Sequence, residues 1–156
     1  DVRIVALGMA GDRRAVPVIL DKVRLLTAEH DFSHFRAVGL ALEALRDPRA
    51  AEPLADALRK PGIIGHAQTS IGRVAQLDPT REVSHGAVVS RRVSLRELAL
   101  ARALFRCGDH EGLGKSILEE YVSDLRGHLA RHAAAVLAEE GKVGPAFGHG
   151  KAAGEP

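Results

Sequence analysis

The sequence predicts an all-α fold: an α-solenoid in which antiparallel helix pairs stack into an α-α superhelix. Three observations predict it. Ala (25 residues) and Leu (19 residues) make up more than a quarter of the 156-residue chain, and both are strong helix formers. Aromatic residues, which strands use heavily, are only 3%, with no Trp. Most telling, a helix–turn–helix pattern recurs along the chain.

The pattern is seen three times. Ala6-Leu7-Gly8-Met9-Ala10-Gly11-Asp12 is followed by Ala15-Val16-Pro17-Val18-Ile19-Leu20. Ala41-Leu42-Glu43-Ala44-Leu45-Arg46-Asp47 is followed by Pro48-Arg49-Ala50-Ala51-Glu52-Pro53-Leu54. Ala103-Leu104-Phe105-Arg106-Cys107-Gly108-Asp109 is followed by Gly112-Leu113 and Ile117-Leu118. Asp12 and Asp47 are 35 residues apart, and Asp47 and Asp109 are 62 apart, which leaves room for one divergent repeat. Each Asp can cap the second helix by accepting a hydrogen bond from a free backbone N–H. Gly11 and Gly108 suit the left-handed end of the preceding helix, and Pro48 suits a first helical position. Pro17 and Pro53 either lie in the first turns of their helices or bend them.

Element by element, helices are expected over about 2–10 and 13–26. A third covers about 34–46, with Phe35, Val38, Leu42 and Leu45 spaced three and four apart. The fourth covers about 49–59 and stops at Pro61-Gly62. A weaker helix over about 64–77 ends at Asp78-Pro79. Residues near 78–93 lack a clean period and are expected as a long loop. Ser94-Leu95-Arg96-Glu97 has the form of a capping box and would open a helix over about 95–107. Leu113, Ile117, Leu118 and Tyr121 mark the next helix. Leu125, Leu129, Ala133, Val136 and Leu137 mark a terminal capping helix over about 124–140. The repeat domain, with three to four helix pairs, is thus assigned to 1–140. Residues 141–156 hold five Gly and two Pro and are expected as a disordered tail.

Residues 1–26 and 37–58 resemble a HEAT-like repeat array of the short bacterial kind, whose motif is Ala-Leu-Gly-x-x-Gly-Asp-x-x-Ala-Val-Pro; Ala6–Asp12 matches the first part of it in full, and Ala41–Asp47 keeps its Ala-Leu and Asp. A second resemblance is carried by Pro61-Gly62-Ile63-Ile64-Gly65-His66-Ala67, by residues 95–109, and by Tyr121-Val122-Ser123-Asp124-Leu125-Arg126-Gly127-His128-Leu129-Ala130-Arg131-His132-Ala133. These segments look like the C-terminal helical region of large bacterial FAD-dependent oxidoreductases. That resemblance implies a non-catalytic appendage, with FAD held elsewhere in the parent protein. No Gly-x-Gly-x-x-Gly flavin fingerprint occurs here, so no cofactor is assigned to this chain. The start at Asp1, directly before helical periodicity, fits the same expectation of a piece of a longer protein.

Charge narrows the classes further. Lys and Arg number 22 against 20 Asp and Glu, spread evenly, so no concentrated basic stripe marks a nucleic-acid binder. Arg91-Arg92 is the one basic doublet in the 61–93 segment. A phosphate-backbone reading stays as a second alternative. No apolar run approaches the roughly 20 residues a bilayer requires, and no membrane partner is expected. A single Cys107, at the end of an apolar helix, excludes an internal disulfide and reads as a buried inert thiol. A cytoplasmic setting is expected.

Few residues suggest chemistry. Asp124, His128, Arg131 and His132 fall on one face of the last helix. His128 and His132, one turn apart, form a weak metal candidate with Asp124 or Glu120 as a third ligand. The simpler reading is the polar face of a terminal helix. Arg126, Arg131 and His66 are candidates for contacts with a partner or an anionic ligand. His110-Glu111 is one His-Glu pair, whereas a di-iron site needs several. The expected function is therefore a helical-repeat interaction or scaffold domain with a protein partner, an upstream domain or another subunit. The alternative is a small metal- or anion-dependent site built on His128 and His132.

Overall fold

A computed structural model describes residues 1–77 and 83–140. Its helices are α1 (Val2–Met9), α2 (Val16–Leu25), α3 (Phe32–Leu45), α4 (Ala51–Leu58), α5 (Ile71–Leu77), α6 (Val83–Arg106), α7 (Leu113–Val122) and α8 (Gly127–Glu140). The described residues contain no strand. The pairs α1/α2, α3/α4 and α6/α7 stack in chain order, α1 against α3 and α3 against α6, and α8 packs on α7. This is the α-solenoid the repeat predicts.

The turns within pairs are built as their sequences suggest. Asp12 accepts from the Arg14 amide at 2.9 Å and Asp47 from the Arg49 amide at 3.0 Å, each opening a short 3-10 turn ahead of α2 or α4. Asp109 does the job differently. It adopts a left-handed conformation and its carboxylate accepts from the Gly114 and Lys115 amides at 2.6 and 3.1 Å. Pro17 lies at the start of α2, and Pro53 in the first turn of α4, where a missing N–H costs nothing.

Stacking brings backbone against backbone. A Cβ on Gly8 of α1 would stand 2.3 Å from the Cα of Ala41 on α3. One on Gly39 of α3 would stand 2.9 Å from the carbonyl oxygen of Ala99 on α6. One on Gly114 of α7 would stand 2.8 Å from the carbonyl oxygen of Ala101 on α6. Glycine on one helix meets alanine on the next at each crossing. The Ala content is thus a packing requirement as well as a helix propensity. Around these crossings Ile19, Phe35, Leu42, Leu54 and Leu104 are fully buried.

Three expectations change. The helix expected from 64 begins only at Ile71, because backbone groups of residues 65–68 bond to side chains of α6 and the α7–α8 turn. The long loop expected near 78–93 is helical from Val83 onward. Ser94 and Glu97 consequently lie inside α6 and form no capping box. Both are completely buried and bond outward to residues 65 and 66. The last helix starts at Gly127, which leaves Leu125 exposed in the turn before it. The tail expected over 141–156 lies outside the described residues.

Close approach makes a direct prediction. Gly39→Leu should lower the free energy of unfolding by about 1–3 kcal/mol or more, since the neighbouring α6 backbone cannot yield. Gly72→Ala, where a Cβ meets nothing within 4 Å, should raise it by up to about 1 kcal/mol. Urea unfolding of both variants checks this, and equal effects would refute it.

Candidate functional site

Helical periodicity gathers one set of side chains on an open face. Phe32, Arg36, Leu40 and Glu43 of α3, Leu95, Leu98, Ala99 and Arg102 of α6, and His128, Leu129 and His132 of α8 line a groove of about 290 Å³. On α3 these positions recur every three or four residues, and on α6 and α8 Leu95, Ala99 and Arg102, and His128 and His132, do the same, so they point the same way. A second groove of about 520 Å³ runs between α1 and α3 and is floored by Val2, Val5, Ala6, Ala37 and Leu40. Arg36 and Leu40 belong to both grooves. The outer turns of α3 are therefore a ridge with an apolar groove on either side.

The far wall of the first groove is an ion network. Glu43 is 8% exposed and accepts from Arg102 Nε and Nη2 at 2.8 and 2.7 Å and from Arg106 Nη1 at 2.8 Å. Arg106 also donates to Glu139 at 2.6 Å. Arg102 Nη1 lies 3.0 Å from His132 Nε2. A guanidinium can only donate, so this nitrogen of His132 is the unprotonated acceptor. Burial first, and then the positive charge of Arg102, hold His132 below the usual imidazole range. The Glu43 carboxylate is taken up by two guanidiniums and is not placed to act as a general base. The groove thus offers an apolar floor and a charged rim.

The structure separates the metal candidates. His128 and His132 both line the groove, but His132 spends its Nε2 on Arg102, whose charge repels a cation. Asp124 is not with them. It is buried in the α7–α8 turn, where it accepts from the Gln68 amide at 2.8 Å and from the Arg126 amide and side chain. Glu120 accepts from Arg73 at 2.5 Å. Among the described residues no group of three His, Cys, Asp or Glu side chains is placed to hold a metal ion.

Two interaction candidates also turn inward. Arg126 donates to Ser94 Oγ and to the His66 carbonyl, both at 2.9 Å. The His66 amide donates to Glu97 at 2.9 Å, and its ring nitrogen Nε2 lies 3.0 Å from the Gly62 carbonyl. Glu97 further accepts from the Gly65 amide at 2.8 Å and from the Tyr121 hydroxyl at 2.7 Å. These groups clamp the irregular 65–68 stretch to α6 and α7. Arg131 remains exposed on α8. Cys107 is buried, donates to the Leu42 carbonyl at 3.4 Å, and has its thiol pushed up to about 12 by burial. It is the inert thiol its setting suggests.

Sequence reasoning missed Glu43, Arg36, Leu40 and Arg102 as a shared face. The signal available was their three- and four-residue spacing on separate helices, which does not reveal that the helices are neighbours. It also missed that Asp124-Leu125-Arg126 repeats the Asp-x-Arg turn of 12–14 and 47–49. In each, the Arg amide and guanidinium both return to the Asp.

Residues 36–60, most of α3 and all of α4, match the PBS lyase HEAT-like repeat family, so this stretch is a HEAT-like repeat. No curated protein and no solved structure matches the chain.

Two outcomes follow from the site. Glu97→Ala should strip two backbone amides and a hydroxyl of their acceptor and cost about 3 kcal/mol or more, against about 1 kcal/mol for Tyr121→Phe. Chemical denaturation of both variants tests the ranking. In a proton NMR titration His132 should show a midpoint below the usual value of about 6.5, and Arg102→Leu should move that midpoint upward. A midpoint at or above the usual value would overturn the Arg102–His132 assignment.

Proposed function

We propose that this chain is a non-catalytic docking domain that holds a protein partner on the face made by α1, α3, α6 and α8. The observation that carries the reading is the pair of apolar grooves flanking one α3 ridge, with Arg36 and Leu40 common to both. Single apolar side chains such as Met9, Val18 and Leu25 are exposed elsewhere, but they line neither groove. Here half-buried Leu40 and Leu95 border open grooves over buried Leu129, the kind of surface a partner's side chains can fill.

We further propose that the partner is the flavin-binding part of an oxidoreductase of the type the sequence resembles. Supporting this is the fact that the three segments carrying the resemblance meet in space. Residues 61–67, 95–109 and 121–133 are joined by the Glu97, Tyr121 and Arg126 hydrogen bonds. In this reading FAD belongs to the partner, and this chain supplies surface.

The test is to mix the purified chain with a flavin-binding region of such an oxidoreductase and measure association calorimetrically. Binding in the micromolar range is expected, and Leu40→Glu should weaken it at least about tenfold while leaving the helical circular dichroism unchanged. No association at high micromolar concentration, with the chain folded, would refute the flavoprotein partner.

A further inference from the structure

The groove between α3, α6 and α8 has an unequal charge balance that its own carboxylates do not correct. Glu43 and Glu139 are both engaged, by Arg102 and Arg106. Arg36, on the ridge, is exposed and makes no ion pair or hydrogen bond among the described residues. Arg91 stands one turn before Leu95 on the same face of α6 and is likewise exposed and unpaired among the described residues. His128 is exposed on the α8 side. The Asp1 carboxylate borders the adjoining groove with Arg36 but is taken up by His34 at 2.8 Å. An apolar floor of Leu40, Leu95, Ala99 and Leu129 thus has Arg36 at its rim and Arg91 one turn beyond Leu95, neither ion-paired among the described residues.

We infer that this groove accepts an acidic amphipathic helix of the partner protein, its apolar stripe on the leucine floor and its carboxylates toward Arg36 and Arg91. The inference rests on the reading of this face as the docking surface. An apolar floor distinguishes it from a phosphate-backbone site, which uses cationic and polar contacts and has no apolar stripe to bury. The open trough between helices suits a helix lying along it, anchored at three- and four-residue spacing. Opposite charge at the rim would orient the guest and exclude basic competitors.

The test uses synthetic helical peptides about five turns long, with one leucine stripe and flanks of Glu, Gln or Lys. Binding to the full chain is followed by fluorescence anisotropy and by amide shift mapping. The Glu peptide should bind at least about tenfold tighter than the Lys peptide, with shifts around Arg36, Leu40 and Ala99, and should weaken as salt rises. Arg36→Glu with Arg91→Glu should reverse the preference, and both are surface changes that leave the core alone. Equal binding of Glu and Gln peptides at these residues would overturn the acidic-guest inference and leave the docking face standing. No binding by any peptide would overturn both. Displacement of the Glu peptide from these same residues by duplex DNA at physiological salt would overturn the inference in favour of a phosphate-backbone site.

Discussion

Glu97 is the constraint around which the C-terminal half of this solenoid is arranged. Its carboxylate sits in α6 with no solvent exposure and satisfies the amides of Gly65 and His66 and the hydroxyl of Tyr121. A buried carboxylate without partners would be costly. Here the partners come from the irregular 65–66 stretch and from α7, so satisfying the carboxylate ties both of them to α6. Ser94, one turn earlier, bonds the His66 carbonyl and accepts from Arg126, and Arg126 is held by Asp124. Burial alone would raise the Asp124 carboxyl, but the hydrogen bonds from Arg126 and from the Gln68 amide outweigh it and hold the group below the usual carboxylate range. The network is what lets a non-helical stretch run through the stack with its backbone groups paired.

That network and the groove lie on opposite uses of the same helix. α6 turns Ser94 and Glu97 toward the irregular segment and Leu95, Ala99 and Arg102 toward the open face. The glycine–alanine crossings at Gly39/Ala99 and Gly114/Ala101 pull α3 and α7 close against it from two sides. Substituting any of these small residues would displace a groove wall as well as loosen the core. The geometry of the groove face is therefore tied to packing geometry, and the docking proposed for it would meet a surface held by helices.

Much of the fold was legible in the residues. Alanine and leucine at helical spacing, the Asp-marked turns at 12 and 47, and Gly11 and Gly108 at helix ends each follow from local chemistry, and the structure uses them that way. The misreadings share one cause. Ser94 and Glu97 have the spacing of a capping box, and residues 64–70 have a helical period, but distant partners overrule both local signals. The site was less legible still. His128 and His132 drew attention as a ligand pair, but the decisive neighbour of His132 is Arg102, 30 positions away in sequence. Arg36 and Leu40 look like ordinary outward positions of a helix until α1 and α6 are set on either side of them.

The sequence by itself determined the class of fold, the repeated pair, the turn chemistry and the scarcity of reactive groups, because all of these depend on contacts within a few residues. Tertiary structure alone decided which polar residues are buried clamps, which charges stay unpaired, and where apolar floor is left open. Those properties depend on which helices become neighbours, and that choice is made by close backbone approach and by the need to satisfy one buried carboxylate.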